Sequence, residues 1–268
     1  MSLKLAVSGA TGRMGHTILK LAAKDKNFEI AGALESPSHV SLGKPLSEVL
    51  PTVTSTAKLA GKLSNISPKP QVLIDFTQPQ GTLGYLQEAV GLGVGMVIGT
   101  TGLKDEEKKK VAEAAQKIPI VMATNMSVGM NLLFALVEEA AAKLGTAYDV
   151  EIIEAHHHFK KDAPSGSALS LGESIAKGWK VNLKDVSTHG REGLVGERKE
   201  GTIGFHAVRG GDIVGDHRVL YAGPGERLEL THIAHSRESF AQGALKAALF
   251  LAGKKNGLFD MQNVLGIK

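Results

Sequence analysis

The chain has 268 residues, 43% hydrophobic and 22% charged, the composition of a globular protein with a sizeable core. Its 31 Lys and Arg against 27 Asp and Glu leave a net charge of +4 with no long basic block. That balance suits anionic small ligands better than nucleic acid. The absence of cysteine excludes disulfides, thiolate zinc sites, iron–sulfur clusters and a thiol nucleophile. A strand-like run follows Lys4 at once, and the apolar stretch 247–252 is too short to span a bilayer. The expectation is a cytoplasmic protein with no membrane partner.

Leu3–Ser8 reads as a short buried strand that stops at Gly9. Residues 14–24 follow with Ile18, Leu19, Leu21 and Ala22 at helical spacing, and 29–34 form a second strand ending at Glu35. Strand, glycine-rich turn, helix and strand make a βαβ unit, which builds parallel sheets. Residues 36–70 carry too little periodicity to assign an element. The alternation resumes with a strand at 72–76, a helix at 81–90 and a strand at 95–98. A solvated helix at 105–117 has its acids early and its lysines late, as the helix dipole prefers, and 118–123 is a further strand. The first 126 residues therefore predict a doubly wound, Rossmann-like sheet.

Beyond Asn125 the pattern changes. Ser127 is placed to cap a long apolar helix that runs to Leu144, and Gly145 ends it. A strand at 149–154 leads into a polar loop at 156–165 and a helix at 167–177. Between 201 and 234, three alternating runs separated by Gly-Gly and Gly-Pro-Gly turns predict an antiparallel meander. The helix at 239–253 is apolar enough to pack back on the first domain. The expected fold is α/β. A dinucleotide-binding domain comprises 1–126 and 238–268, and an α+β domain with an open mixed or antiparallel sheet comprises 127–237.

The turn Gly9-Ala10-Thr11-Gly12-Arg13-Met14-Gly15 lies between strand and helix, where a pyrophosphate would meet free helix N–H groups. It departs from G-x-G-x-x-G at Ala10 and reads better as Gly9-x-x-Gly12-x-x-Gly15. Glu35 ends the next strand twenty residues after Gly15, where an acid accepts hydrogen bonds from an adenosine ribose. The plainer reading is a tight turn with an incidental acid. Ser36, in place of an arginine that would grip a 2′-phosphate, leans the cofactor toward NADH over NADPH, although His39 and Lys44 lie close in sequence. Gly99-Thr100-Thr101-Gly102 and Ala123-Thr124-Asn125-Met126 both follow strands, either as ligand-binding turns or as ordinary capped βα turns.

Residues 154–167, EAHHHFKKDAPSGS, carry the most chemistry. Successive strand residues point to opposite faces, and no further ligand cluster supports three adjacent histidines as a metal site, so the expected metal set is none. An exposed basic loop is the bland alternative. Against it, histidine moves protons near neutral pH and lysine is a positive donor to an anionic or imine substrate. Pro164-Ser165-Gly166-Ser167 then opens a helix whose N–H groups suit a carboxylate. A Walker P-loop and a serine-hydrolase elbow are both missing.

Taken together, the glycine turn from Val7, Ile74-Asp75-Phe76-Thr77, Gly99-Thr100-Thr101-Gly102 and Gly201-Thr202-Ile203-Gly204-Phe205 resemble the dihydrodipicolinate reductase family. So do Glu154-Ala155-His156-His157, Lys160 and Asp162-Ala163-Pro164-Ser165-Gly166, and the likeness is collinear over nearly the whole chain. The resemblance implies NAD(P)H-dependent reduction of 4-hydroxy-tetrahydrodipicolinate, through dihydrodipicolinate, on the diaminopimelate route to lysine. It implies His156 and Lys160 as catalytic proton donors, with His157, Lys160, Gly166 and Ser167 holding a small dicarboxylate. The cofactor would meet Gly9, Ala10, Thr11, Gly12, Arg13, Met14, Glu35, Gly99, Thr100, Thr101, Ala123, Thr124, Asn125 and Met126. Ser167 replaces the family's usual threonine and keeps its hydroxyl. Met126 replaces a common aromatic, so a thioether contact replaces any ring packing. The family is also similar in assembling as homotetramers through the second domain's sheet. The alternatives are a dehydrogenase of another amino-acid pathway on a similar fold and a non-catalytic dinucleotide-binding regulator.

Overall fold

The structure is a computed structural model that describes residues 2–267. Its elements run β1 (Leu3–Ser8), α1 (Arg13–Ala22), β2 (Phe28–Leu34), α2 (Leu46–Val49), β3 (Leu59–Ala60), β4 (Val72–Asp75), α3 (Pro79–Leu92), β5 (Gly95–Ile98), α4 (Asp105–Ala114) and β6 (Pro119–Met122). Then follow α5 (Val128–Leu144), β7 (Asp149–His156), α6 (Gly166–Trp179), α7 (Leu183–Val186), β8 (Ser187–His189), β9 (Ile203–Arg209), β10 (Gly215–Gly223), β11 (Glu226–Ala234), α8 (Glu238–Leu251), β12 (Gly257–Phe259) and α9 (Met261–Leu265). They form two compact units, Met1–Val128 with Arg237–Lys268, and Gly129–Ser236.

The first unit is a seven-stranded sheet, ordered β12-β6-β5-β4-β1-β2-β3, and every pair in it is parallel. β4 and β5 are buried along their whole length, as strands covered on both faces must be. The period of two then divides the core. Leu5 and Val7 join one cluster with Ile18 of α1 and Ala244 and Ala248 of α8, while Ala6 joins another with Leu86 of α3 and Val111 of α4. α8 lies against the chain leaving β6, because a Cβ on Gly243 would stand only 1.7 Å from the Met126 carbonyl oxygen. The segment 36–70, silent in the sequence reading, supplies only the short α2 and β3 and a 3₁₀ turn, too brief to build a periodicity. β12 passed unnoticed for the same reason.

In the second unit the sheet order is β11-β10-β7-β9-β8. This corrects the expected meander. β10 and β11 do form an antiparallel hairpin, but β9 is parallel to β7 and β7 lies between β9 and β10. The link after β9 does not close a hairpin, because its hydrogen bonds go to the end of β7. Gly210 donates to the His156 carbonyl, and His157 and His158 donate to the carbonyls of Ile213 and Gly211. Alternation identifies each run as a strand and says nothing about its neighbours.

On the inner face, Val150, Ile152 and Phe205 pack under Leu133, Phe134 and Val137 of α5 and Leu171 and Ile175 of α6. Each such large side chain, fully buried, contributes about 1.5–3 kcal/mol. β7 ends at His156, so that residue belongs to the strand and not to the loop expected after 154. α4 stops at Ala114, three residues short of its expected end. Among the described residues no helix is long and apolar enough to cross a membrane.

Candidate active site

In the first unit the turn after β1 is tight. Gly9 adopts φ +60°, the left-handed region, and a Cβ on Gly15 would stand 2.1 Å from the Gly9 carbonyl oxygen. Gly12 occupies the N-cap position of α1 with no side-chain cap, so the first-turn amides meet no capping side chain. Glu35, at the end of β2, reaches this turn and accepts from the Thr11 amide (2.9 Å) and hydroxyl (2.7 Å) and from the Ser36 amide (3.2 Å). Arg13 is exposed at the helix start, whereas Ala10 is fully buried beneath it.

Asp75, at the carboxyl end of β4, is completely buried and accepts hydroxyl hydrogen bonds from Ser8 (2.5 Å), Thr77 (2.7 Å), Thr82 (2.5 Å) and Thr100 (3.0 Å). A buried carboxylate needs such donors, and these tie β1, β4, α3 and the turn after β5 together. Beside it, a cavity of about 250 Å³ is lined by Met14, Phe76, Gly99 and the 124–126 segment, with Arg237 and Phe240. It sits at the carboxyl ends of β4, β5 and β6, where open α/β sheets hold ligands. A Cβ on Gly99 would lie 2.3 Å from the Phe76 ring, so only glycine lets that ring form the wall. An uncapped glycine turn, a carboxylate at the next strand end and a cavity at the strand ends fit a dinucleotide. Thr101 and Ala123 lie on the same two turns, Thr101 exposed and Ala123 half-buried.

The second unit gathers its polar groups where β7 ends. Strand alternation turns Glu154 and His156 to the inner face with Val150 and Ile152, and the Glu154 side chain is wholly excluded from solvent. Its oxygens accept from His156 Nδ1 (2.6 Å), from both terminal nitrogens of Arg209 (2.8 Å each) and from the Ser165 amide (3.0 Å). Burial pushes the Glu154 carboxyl up, but Arg209, His156 and the Ser165 amide together bring it below its ordinary value. His156 is pulled below the ordinary histidine value by burial, with Lys160 and Arg209 adding to that and Glu154 opposing it. Edge-on to it, ring centroids 5.1 Å apart, stands His217, which burial drives down to about 3 and so keeps neutral.

The three histidines diverge. His156 faces inward, His157 is half-buried with an enclosed Nδ1 that has no partner, and His158 is exposed with its ring on Phe159 at 3.8 Å. Lys160 pairs with Asp162 at 2.9 Å. Gly166 and Ser167 form the first turn of α6, where the dipole end is positive, and Ser165 caps it by accepting from the Ala168 amide at 3.1 Å. Among the described residues no group of three or more His, Cys, Asp or Glu side chains is placed to hold a metal ion. The sequence reading had no role for Arg209, His217 or Phe240, and gave Ser165 a place only in the opening of α6. One signal was available: the alternation of β7 puts an acid on a buried face, which requires a cation.

Comparison with known proteins decides the family. The model for "Dihydrodipicolinate reductase, N-terminus" matches residues 3–126, and that for "Dihydrodipicolinate reductase, C-terminus" matches 129–265. The chain belongs to the dihydrodipicolinate reductase family. Among relatives, the 4-hydroxy-tetrahydrodipicolinate reductase of Nitrosomonas europaea is 52% identical over 99% of both chains. That of Cupriavidus pinatubonensis is 50% identical over 99% of this chain and 100% of its own. The solved dipicolinate-bound dihydrodipicolinate reductase from Paenisporosarcina sp. TG-14 superposes with a TM-score of 0.78 at 28% identity, covering 98% of this chain and 99% of that one. Dihydrodipicolinate reductase architecture thus extends over both compact units.

Proposed function

We propose that this chain reduces 4-hydroxy-tetrahydrodipicolinate, through the dihydropyridine left when water departs, to tetrahydrodipicolinate on the diaminopimelate route to lysine. The observation that carries the reading is His156, held by a buried carboxylate at the start of α6, in a chain half identical to such reductases from end to end. Its setting is the cytoplasm.

The nicotinamide cofactor, when bound, supplies a hydride to C4 of the substrate ring. Gly9 to Met14, Glu35, Gly99 to Thr101 and Ala123 to Met126 hold it, with Phe76 and Phe240 closing the cavity. Glu35 at the turn and Ser36 beside it, with its hydroxyl 3.0 Å from that of Ser38, favour NADH, since neither offers a cation to a 2′-phosphate.

Substrate binding falls to the second unit. The ammonium of Lys160, the ring of His157 and the first turn of α6 at Gly166 and Ser167 are positive or hydrogen-donating, as a dicarboxylate requires. Hydride delivery calls for one proton, which His156 supplies as negative charge develops on the substrate, with Lys160 as a second hydrogen-bond donor that steadies that charge. The chain works as a homotetramer through the outer face of the second sheet, where Val208 and Ile233 leave 50% and 51% of their surface open.

The test follows loss of reduced-nicotinamide absorbance with substrate generated in situ from pyruvate and aspartate semialdehyde by the preceding synthase. Synthase-dependent loss, faster with NADH, is expected. No loss with either cofactor, from protein shown to bind one, overturns the reading.

A further inference from the structure

Behind the proton donor stands an ion pair that does not itself touch substrate in the proposed reaction. We propose that Glu154 and Arg209 are positioning residues: Arg209 holds the Glu154 carboxylate in place, and Glu154 fixes the nitrogen of His156 that exchanges its proton. The inference rests on the reading of His156 as proton donor.

The argument is one of hydrogen-bond capacity. An ionised carboxylate is acceptor-only, with about four lone-pair sites. Glu154 has four donors: Arg209 on both oxygens, the Ser165 amide on Oε1 and His156 Nδ1 on Oε2. Arg209 is fastened in turn, donating to the carbonyls of Asp162 and Val208 at 2.6 Å each. A carboxylate so surrounded stays ionised and accepts from His156 only if Nδ1 carries hydrogen. Neutral His156 is therefore the Nδ1–H tautomer, and Nε2 is the nitrogen that gives and takes the proton.

Gly215 keeps that nitrogen open. A Cβ built there would stand 3.1 Å from Nε2, so a side chain on β10 would crowd the exchanging atom. The surroundings otherwise disfavour the imidazolium. Burial opposes it first, Lys160 from the loop and Arg209 from β9 add like charge, and His217 from β10 is kept neutral. Glu154 from β7 is the carboxylate that offsets them.

The experiment compares wild type with Glu154→Gln, and with the double variant Glu154→Gln, Arg209→Met, in which no buried cation is left unpaired. In wild type, kcat/KM falls as pH rises and His156 loses its proton. In Glu154→Gln that limb moves to lower pH by about one unit, and kcat falls by about tenfold or more with KM little changed. The double variant recovers thermal stability while the limb stays displaced. A double variant that regains the wild-type pH profile shows a merely structural pair and overturns the proposal. Histidine ring ¹⁵N spectra of the cofactor-free protein, assigned with His156→Gln, give a second readout. Neutral His156 protonated at Nδ1 is expected in wild type, and protonation at Nε2 overturns the proposal whether or not the variants fold. Absence of turnover in wild type defeats the proposed function alone, since the spectra still judge the positioning.

Discussion

The hydroxyl of Ser165 both caps α6 and lies 3.2 Å from Nε2 of His217, so one buried oxygen joins a helix start to the middle of a sheet. Removing it leaves the Ala168 amide and the imidazole without that partner. Ser165→Ala is expected to lower unfolding free energy by about 1–2 kcal/mol, read by urea denaturation. Because the first turn of α6 is assigned to the substrate, KM should rise more than kcat falls.

Stability should depend on pH in two stages. His217 is held down to about 3, and His156 and His232 are also lowered by burial, so below about 6.5 the unfolded chain binds more protons than the folded one. Folded-state stability is therefore full at neutral pH and declines as pH falls through 6.5. Glu151, which Arg191, Arg198 and His206 bring down to about 2 against the upward push of burial, adds a second decline below the ordinary carboxylate value, as does Glu154. Melting temperature across about pH 2–8 reads both, and His217→Gln should flatten the upper stage.

Proton transfer is expected to fail separately from binding. His156→Gln and Lys160→Ala should each lower kcat by about 10²-fold or more, while His157→Ala and Ser167→Ala should act chiefly on KM. Steady-state kinetics separate the two sets. Near-normal turnover in both His156→Gln and Lys160→Ala would show that proton donation lies elsewhere.

The glycine turn has a steric test. A methyl on Gly15 would stand 2.1 Å from the Gly9 carbonyl oxygen, and backbone cannot yield as a flexible side chain does. Gly15→Ala should cost about 1–3 kcal/mol and weaken NADH binding by calorimetry. Gly84→Ala in α3, with open space around its Cβ, should do neither.

Cofactor choice turns on the residue after Glu35. Ser36→Arg supplies the cation a 2′-phosphate needs, and should raise the ratio of kcat/KM for NADPH over NADH by about tenfold or more. An unchanged ratio would assign selectivity to another residue.

Much of this was readable along the chain. The βαβ alternation through residue 126 and the acid at Glu35 reappear as a parallel sheet with Glu35 bonded to the turn, because both depend on short-range order. The second sheet was less legible. Its three runs were recognised as strands, yet β9 lies parallel to β7, and β7 separates it from β10.

Periodicity, glycine placement and residue chemistry are local properties, so the sequence alone marked the longer strands and helices and singled out His156 and Lys160 for the proton chemistry proposed above. Tertiary structure decided who their neighbours are. Arg209 meets Glu154 across 55 positions and Ser165 meets His217 across 52. No local pattern encodes such pairs, because they exist only once β7, β9 and β10 share one sheet and a buried carboxylate must find its cation.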